Sequence, residues 1–297
     1  MQVMTLNTAF NEPAGQPPLA GDAGVLSELS EDGLLGRIGP LEVRLARDPA
    51  EIAAAQTIRF RVFFDEMGAR PSAAVASQNR DADGFDAVCD HLLVVDTSLE
   101  GDDVDRIVGT YRLLPPEGAR KAGRFYSQDE FAIETLMARH TGRRFLELGR
   151  SCVLPAYRTK RTIELLWQGI WAYCRRLRID VMMGCASFPG VVPAAHAEAL
   201  SFLGHFCQAE ADWHVRALDA RFAPMDLMPK EAIQARSALA AMPPLVKGYL
   251  RLGARFGEGC VVDHDFATTD VFVVLPVEAI SDRYINYYGA DAQRFAA

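Results

Sequence analysis

The sequence lacks any paired-cysteine motif. The six cysteines, Cys89, Cys152, Cys174, Cys185, Cys207 and Cys260, are scattered with no CxxC and no metal-ligand spacing. That excludes a zinc module and a disulfide framework. Several lie in apolar segments, where a free thiol behaves as a small hydrophobe, so reduced thiols in a cytoplasmic protein are expected. Basic residues are missing before Arg37, which argues against a signal or transit peptide. No apolar run reaches the ~18 residues needed to cross a bilayer. Cationic excess is absent too: the net charge is −8, the wrong sign for general nucleic-acid binding.

What remains is an ordinary globular composition, 297 residues of which 49% are hydrophobic and 24% charged. That suffices for one large domain, or a domain with an extension. Residues 1–36 contain NEPAGQPPLAGDAG, without periodicity, and are expected to form a mobile leader. IGPLEVRLA predicts a strand. Asp48-Pro49 predicts an N-cap and first-turn proline opening a helix through DPAEIAAAQTIRFRVFFDEMGA. HLLVVD and IVGTYRLLP, joined by a polar turn, predict an antiparallel hairpin. FYSQDEFAIETLMARH predicts a helix capped by Ser127, with Glu130 three residues on.

RRFLELGRSCVLP predicts a further strand. After it, Ile163, Leu166, Trp167, Ile170, Cys174 and Leu177 fall on one helical face. DVMMGCASFPG predicts a strand, HAEALSFLGHF a helix, residues 215–255 mainly helix, and TTDVFVVLPV a late buried strand. The class is α/β (α+β), with a mixed, mostly antiparallel sheet flanked by helices. The expected division is a core over residues 37–190 and a C-terminal part, 191–297, that completes the sheet and adds helices.

Charge is strongly segregated. Between Arg139 and Arg178 lie ten basic residues and only two acidic ones, Glu147 and Glu164. Arg158, Lys160 and Arg161 crowd the start of the strongest helix, where the helix dipole disfavours cations. Such crowding suits a docking anion, because the free N–H groups of a helix start favour negative charge. A solvated basic face is the alternative. Glu147 and Arg150 are charges inside an apolar strand. In an ideal strand, residues three apart face opposite sides. Gly149 between them suggests a bulge that brings both to one cleft.

The strand, basic turn VLPAYRTKRT and helix resemble the cofactor-binding unit of the GNAT acyltransferases. The glycines usual in that turn are absent, which points away from acetyl-coenzyme A and toward the single phosphate of an acyl carrier protein. Arg59 and Phe63, the acidic trio Asp81, Asp83 and Asp86, Arg112, Phe125, and the pair Glu147 and Arg150 are similar in order and spacing to motifs of the acyl-homoserine-lactone synthases. ELLWQGIWAYC, DVMMGCASFPG, PPLVKGYLRLGA, TTDVFVVLPV and RYINYYGAD resemble a sister family, the ornithine N-acyltransferases of lyso-ornithine lipid synthesis.

That resemblance implies a GNAT-like fold and transfer of a 3-hydroxyacyl chain from acyl carrier protein to the α-amine of L-ornithine. It implies no tightly bound cofactor and no metal, with 3-hydroxyacyl-phosphopantetheine on the carrier as co-substrate. Glu147, Arg150 and Arg112 are the expected catalytic residues. Glu147 is a base candidate, since burial raises a carboxyl pKa; a structural ion pair is the alternative. Arg59, Phe63, Asp81, Asp83, Asp86 and Phe125 are expected to bind substrate, the acidic trio clamping an amine. A solvated acidic loop, or carboxylates tying down Arg59 and Arg112, is the other reading of the trio. Phe63, Phe85 and Phe125 are candidates for an acyl slot. Arg158, Lys160 and Arg161 are the expected contacts to carrier and phosphopantetheine. The rival functions are a lactone-synthase-like enzyme, an acyltransferase for another amino acid, and a non-catalytic carrier-binding module.

Overall fold

The computed structural model describes residues 33–280. The leader over residues 1–32 and the RYINYYGAD motif lie outside the described residues. Strand structure is already present at Leu34, inside the leader expected over residues 1–36. Strand β1 (Leu34–Ile38) pairs antiparallel with β2 (Leu41–Leu45), and Leu35 is buried between them and the core.

Asp48 starts α1 (Pro49–Phe60) as its residue type demands. Its carboxylate accepts the Ala50 and Glu51 N–H groups, and Pro49 takes the first-turn position. The helix then widens into a π-helical turn over Arg61–Glu66, a distortion frequent at functional sites. A short helix, α2 (Ala73–Gln78), follows. Strands β3 (Asp90–Asp96) and β4 (Ile107–Leu114) form the antiparallel hairpin expected from the sequence. Helix α3 (Pro116–Ala122) comes next.

The expected helix from Phe125 to His140 is only half there. Tyr126–Asp129 is a single 3-10 turn, and α4 spans only Ile133–Arg139. Ser127 caps nothing, because its N–H and hydroxyl both donate to the buried Glu147 carboxylate. A long-range acceptor thus outcompetes the local capping box.

Strand β5 (Phe145–Val153) follows. Helix α5 (Lys160–Arg176) is then capped by the Thr159 hydroxyl. Leu165, Leu166, Trp167, Ile170, Tyr173 and Cys174 of α5 are buried against the sheet. Each contributes on the order of 1.5–3 kcal/mol of transfer free energy. Ile163 departs from expectation: it lies in the first turn, past the sheet, and is 43% exposed.

Strand β6 (Val181–Pro189) runs parallel to β5, and α6 (Ala197–Phe206) follows it. Residues 215–255 are less helical than expected, giving β7 (Phe222–Ala223), α7 (Ala235–Ala241) and α8 (Pro244–Leu252). Strand β8 (Arg255–Asp263) is absent from the sequence reading; a register shift between Phe256 and Cys260 breaks its alternation. The late strand is β9 (Thr268–Pro276).

Among the described residues, the nine strands form one sheet in the order β1-β2-β3-β4-β5-β6-β9-β8-β7. Every pairing except β5 with β6 is antiparallel. On one face Leu146, Leu148 and Met182 pack with α5 and α8 in the largest core cluster. On the other, Phe145, Met183, Phe272 and Val274 pack with Phe125, Phe131 and Leu136.

Candidate active site

Two backbone irregularities open the middle of this sheet. The β4–β5 ladder shifts register between Arg112, opposite Gly149, and Thr110, opposite Cys152. The bulge expected at Gly149 is therefore present, but Arg150 carries it, with φ +52°. A non-glycine residue in the left-handed region costs roughly 1 kcal/mol, and such strain persists where surrounding structure enforces it. Beside it, β5 and β6 pair only over Phe145–Glu147 and Val181–Met183, then part. Gly184 marks the parting point. Its φ is +149°, and a Cβ there would lie 2.3 Å from the Leu148 carbonyl oxygen.

A cavity of about 600 Å³ occupies the gap. Its lining comes from both faces of the sheet, so it passes through the sheet. On the α5–α8 side it is apolar, with Tyr111, Leu148, Leu166, Trp167, Ile170 and Leu245. On the other side it is polar, with Tyr126, Ser127, Glu130, Glu147, Cys185 and Asp270.

Glu147 is 4% exposed and lines this cavity. One carboxylate oxygen accepts the Tyr126 N–H at 2.6 Å; the other accepts the Ser127 N–H at 2.8 Å and the Ser127 hydroxyl. Burial nonetheless raises its pKa above the usual carboxylate range, against those three donors and the Arg112 charge. Its hydrogen bonds go to the 126–127 turn, not to Arg150.

Arg150 lines the cavity too, donating to the Tyr126 hydroxyl at 3.1 Å and pairing with Asp81 at 3.1 Å. Its guanidinium lies 4.3 Å from the Phe266 ring centre, a cation–π contact. Arg112, also on the wall, pairs with Asp83 at 2.7 Å and Asp86 at 3.2 Å.

The acidic trio is not where an amine clamp was expected. Asp81, Asp83 and Asp86 do not line the cavity. They hold arginines: Arg59 bonds to Asp81 and Asp86 at 2.9 Å each, and Arg112 and Arg150 take the rest. Burial would raise the Asp86 carboxyl, but the bound Arg59 and nearby Arg112 hold it far below its ordinary value. Arg59 is fully buried behind the wall, so its place is structural rather than in contact with the cavity. Of the aromatic candidates, Phe63 and Phe85 line the cavity, whereas Phe125 is packed in the core away from it.

The basic band divides in space. Arg139, Arg143 and Arg144 precede β5 and Arg158 follows it, so a nine-residue strand, roughly 30 Å long, separates them. Arg158 stands at the cavity mouth beside Met67, Tyr157 and Ile163 and pairs with Glu66 at 2.7 Å. Lys160 and Arg161 are exposed just beyond, and Lys160 lies 3.3 Å from Glu164. All six cysteines are free. Burial pushes Cys152 up to about 12 and Cys185 well above its ordinary value, which keeps these thiols protonated.

The sequence reading missed Glu130 as a wall residue, along with Asp263 and Asp270. Burial and the Asp270 charge push Glu130 up to about 7. The signal for Asp270 was the one that singled out Glu147, a carboxylate within an apolar strand.

A bulged, parted pair of strands feeding a helix behind a basic turn is the architecture of an acyltransferase. Residues 58–168 match the family model "Acetyltransferase (GNAT) domain". Among curated proteins, the chain is 63% identical over 262 residues to the L-ornithine N(alpha)-acyltransferase of Brucella abortus, covering 88% of this chain and 93% of that one. The enzyme of the same name from Agrobacterium fabrum is 62% identical over 270 residues, covering 90% and 92%. The chain belongs to the L-ornithine N(alpha)-acyltransferase family. Among solved structures, FeeM, an N-acyl amino acid synthase from uncultured soil microbes, aligns over 80% of this chain and 91% of its own, at TM-score 0.42 and 13% identity.

Proposed function

We propose that the enzyme transfers a 3-hydroxyacyl chain from acyl carrier protein to the α-amine of L-ornithine, giving lyso-ornithine lipid by direct attack. The observation that carries this reading is the two-sided cavity: an apolar side for an acyl chain, a polar side for an amino acid, and the parted strands between. The names of the curated relatives supply the acceptor. Exposed Met67 and Ile163 beside Arg158, with Lys160 and Arg161 beyond, suit an acidic carrier bearing a phosphate. No helix among the described residues is long and apolar enough to cross a membrane.

A free α-amine is mostly protonated at neutral pH, so attack needs a base. Glu147 takes the ammonium proton, directly or through a water. The amine nitrogen then bonds to the thioester carbon, and the negative charge gathers on the former carbonyl oxygen. Arg150 and Arg112, aligned by the acidic trio, and the backbone N–H groups of the bulge stabilise that charge. Collapse breaks the C–S bond; the sulfur takes the proton held by Glu147 and leaves as the phosphopantetheine thiol, and the nitrogen gives its second proton to the freed Glu147 carboxylate, which releases it to solvent. No cofactor is consumed.

The test is mass spectrometry of products formed from 3-hydroxyacyl carrier protein and a mixture of amino acids. N-acylornithine is expected. E147Q is expected to retain carrier binding and lose turnover by at least ~100-fold. Turnover near wild type would remove Glu147 as base.

A further inference from the structure

Glu130, Asp263 and Asp270 have no part in the mechanism above, yet all three line the polar side of the cavity. Each presents a carboxylate oxygen within 4.8 Å of the others. Strand register places Asp263 and Asp270 there, and the 3-10 turn over Tyr126–Asp129 brings Glu130. Asp270 pairs with Ser187 across β9 and β6, and Thr268 with Asp263 across β9 and β8. Residues two apart share a face, so Thr268 and Asp270 lie on the face of Phe272 and Val274, the side that holds Glu147.

Two polar atoms in this pocket lack a well-formed hydrogen bond. Thr268 Oγ1 and Asp270 Oδ1 have no partner of good geometry, although Ser187 and Thr268 lie close enough to temper the Asp270 carboxyl, and residues 268 and 270 are 5% and 6% exposed. Unsatisfied buried polar atoms are costly, and a bound donor would relieve both. Positive charge nearby is scant. Arg221 reaches Glu130 only at 3.4 Å from a position 37% exposed, and Arg150 acts on Asp270 from a distance. The remaining contacts are polar: Cys185 Sγ lies 3.3 Å from Glu130, and Asp263 accepts the Asp265 and Phe266 N–H groups at 2.7 and 3.0 Å. Cys185 also lies 3.3 Å from the Ser127 hydroxyl, which bonds Glu147. A short chain of side chains therefore links the cluster to the base.

Resting on the proposed function, we propose that Glu130, Asp263, Asp270 and Thr268 form the subsite for the distal ammonium of the amino-acid acceptor. An ammonium has three donors and no acceptor, which the carboxylates and the Thr268 oxygen complement. Held there, the acceptor points its α-amine back along the same side of the sheet toward Glu147. The subsite selects diamino acids over those with apolar side chains, because an empty carboxylate cluster is left uncompensated when the ammonium is missing. The electrostatics agree with this: burial, reinforced by repulsion among the carboxylates, pushes Glu130 up to about 7 and Asp270 up to about 6.

The experiment compares L-ornithine with L-norvaline, which lacks only the distal amine, as acceptors for the full-length enzyme and saturating 3-hydroxyacyl carrier protein. Wild type is expected to favour ornithine by at least ~100-fold in kcat/KM, and D270N to shrink that preference to within about threefold, chiefly through the ornithine KM. D263N, at the rim of the cluster, is expected to shrink it in the same direction and keeps the test available should D270N fold poorly. Equal use of both acceptors by wild type overturns the subsite, as does an equal loss for both in the variants. So does thermal stabilisation by magnesium, manganese or zinc that D270N abolishes, because that would make the cluster a metal site. If no amino acid is acylated at all, the broader function fails instead, which sets that failure apart from failure of the subsite.

Discussion

Replacing Asp270 by Asn removes a negative charge that the fold holds at a cost. Burial, tempered by Ser187 and Thr268 and reinforced by the Asp263 charge, pushes its carboxyl from 3.8 to about 6. The folded state therefore binds a proton more tightly than the unfolded state does. Stability from this group is fully present below pH ~4 and is lost as pH rises through about 6. At about 1.36 kcal/mol per pKa unit, the loss is on the order of 3 kcal/mol once the group is ionised. Asn does not titrate. Relative to wild type, D270N should therefore gain about 3 kcal/mol in unfolding free energy between pH ~4 and pH ~7.5. Glu130 adds to the wild-type loss in the same direction, since the Asp270 charge is part of what raises it. The assay is urea unfolding followed by tryptophan fluorescence at both pH values without acceptor. A stability difference that is the same at both would refute the reasoning, for then the carboxyl titrates as it does in the unfolded chain. A protein that retains such a residue gives up stability for function.

Other expectations concern the mouth and the base. R158E/K160E should weaken carrier binding by at least ~10-fold at low salt, with the difference narrowing as ionic strength rises; calorimetry against acyl carrier protein checks this, and unchanged affinity would remove the docking surface. S127A removes one of the donors that favour the ionised form of Glu147. Its acid limb in the kcat/KM–pH profile should move to higher pH, and an unmoved limb would mean that Glu147 does not set it. In wild type the ornithine KM should fall as pH rises through about 6 to 7, as Asp270 and Glu130 ionise; stopped-time acylation assays across that range measure it.

Much of the architecture was legible because it is local. Asp48 and Pro49 open a helix wherever they stand together ahead of an apolar pattern. The β3–β4 hairpin and the α5 periodicity likewise follow from residue spacing. Ser127 shows where local reading stops: a sound capping signal yielded to an acceptor twenty residues away on β5. Strand β8 was hidden because its glycines and register shift interrupt the alternation that marks a strand.

The sequence alone determined that Glu147 and Arg150 are charges in a buried strand next to a glycine suited to a bulge, and that cations crowd the start of α5. Spacing along one chain carries that information. Only the tertiary structure decided which carboxylates face the cavity. In sequence, Asp81, Asp83 and Asp86 fitted either an amine clamp or a set of carboxylates tying down Arg59 and Arg112; the fold brings three arginines to them, and their charge is spent on those partners. Asp263 and Asp270 meet because β8 and β9 lie side by side, and the turn before α4 lays Glu130 beside them, against Cys185 of β6. Their unbalanced charge exists only once the sheet has formed.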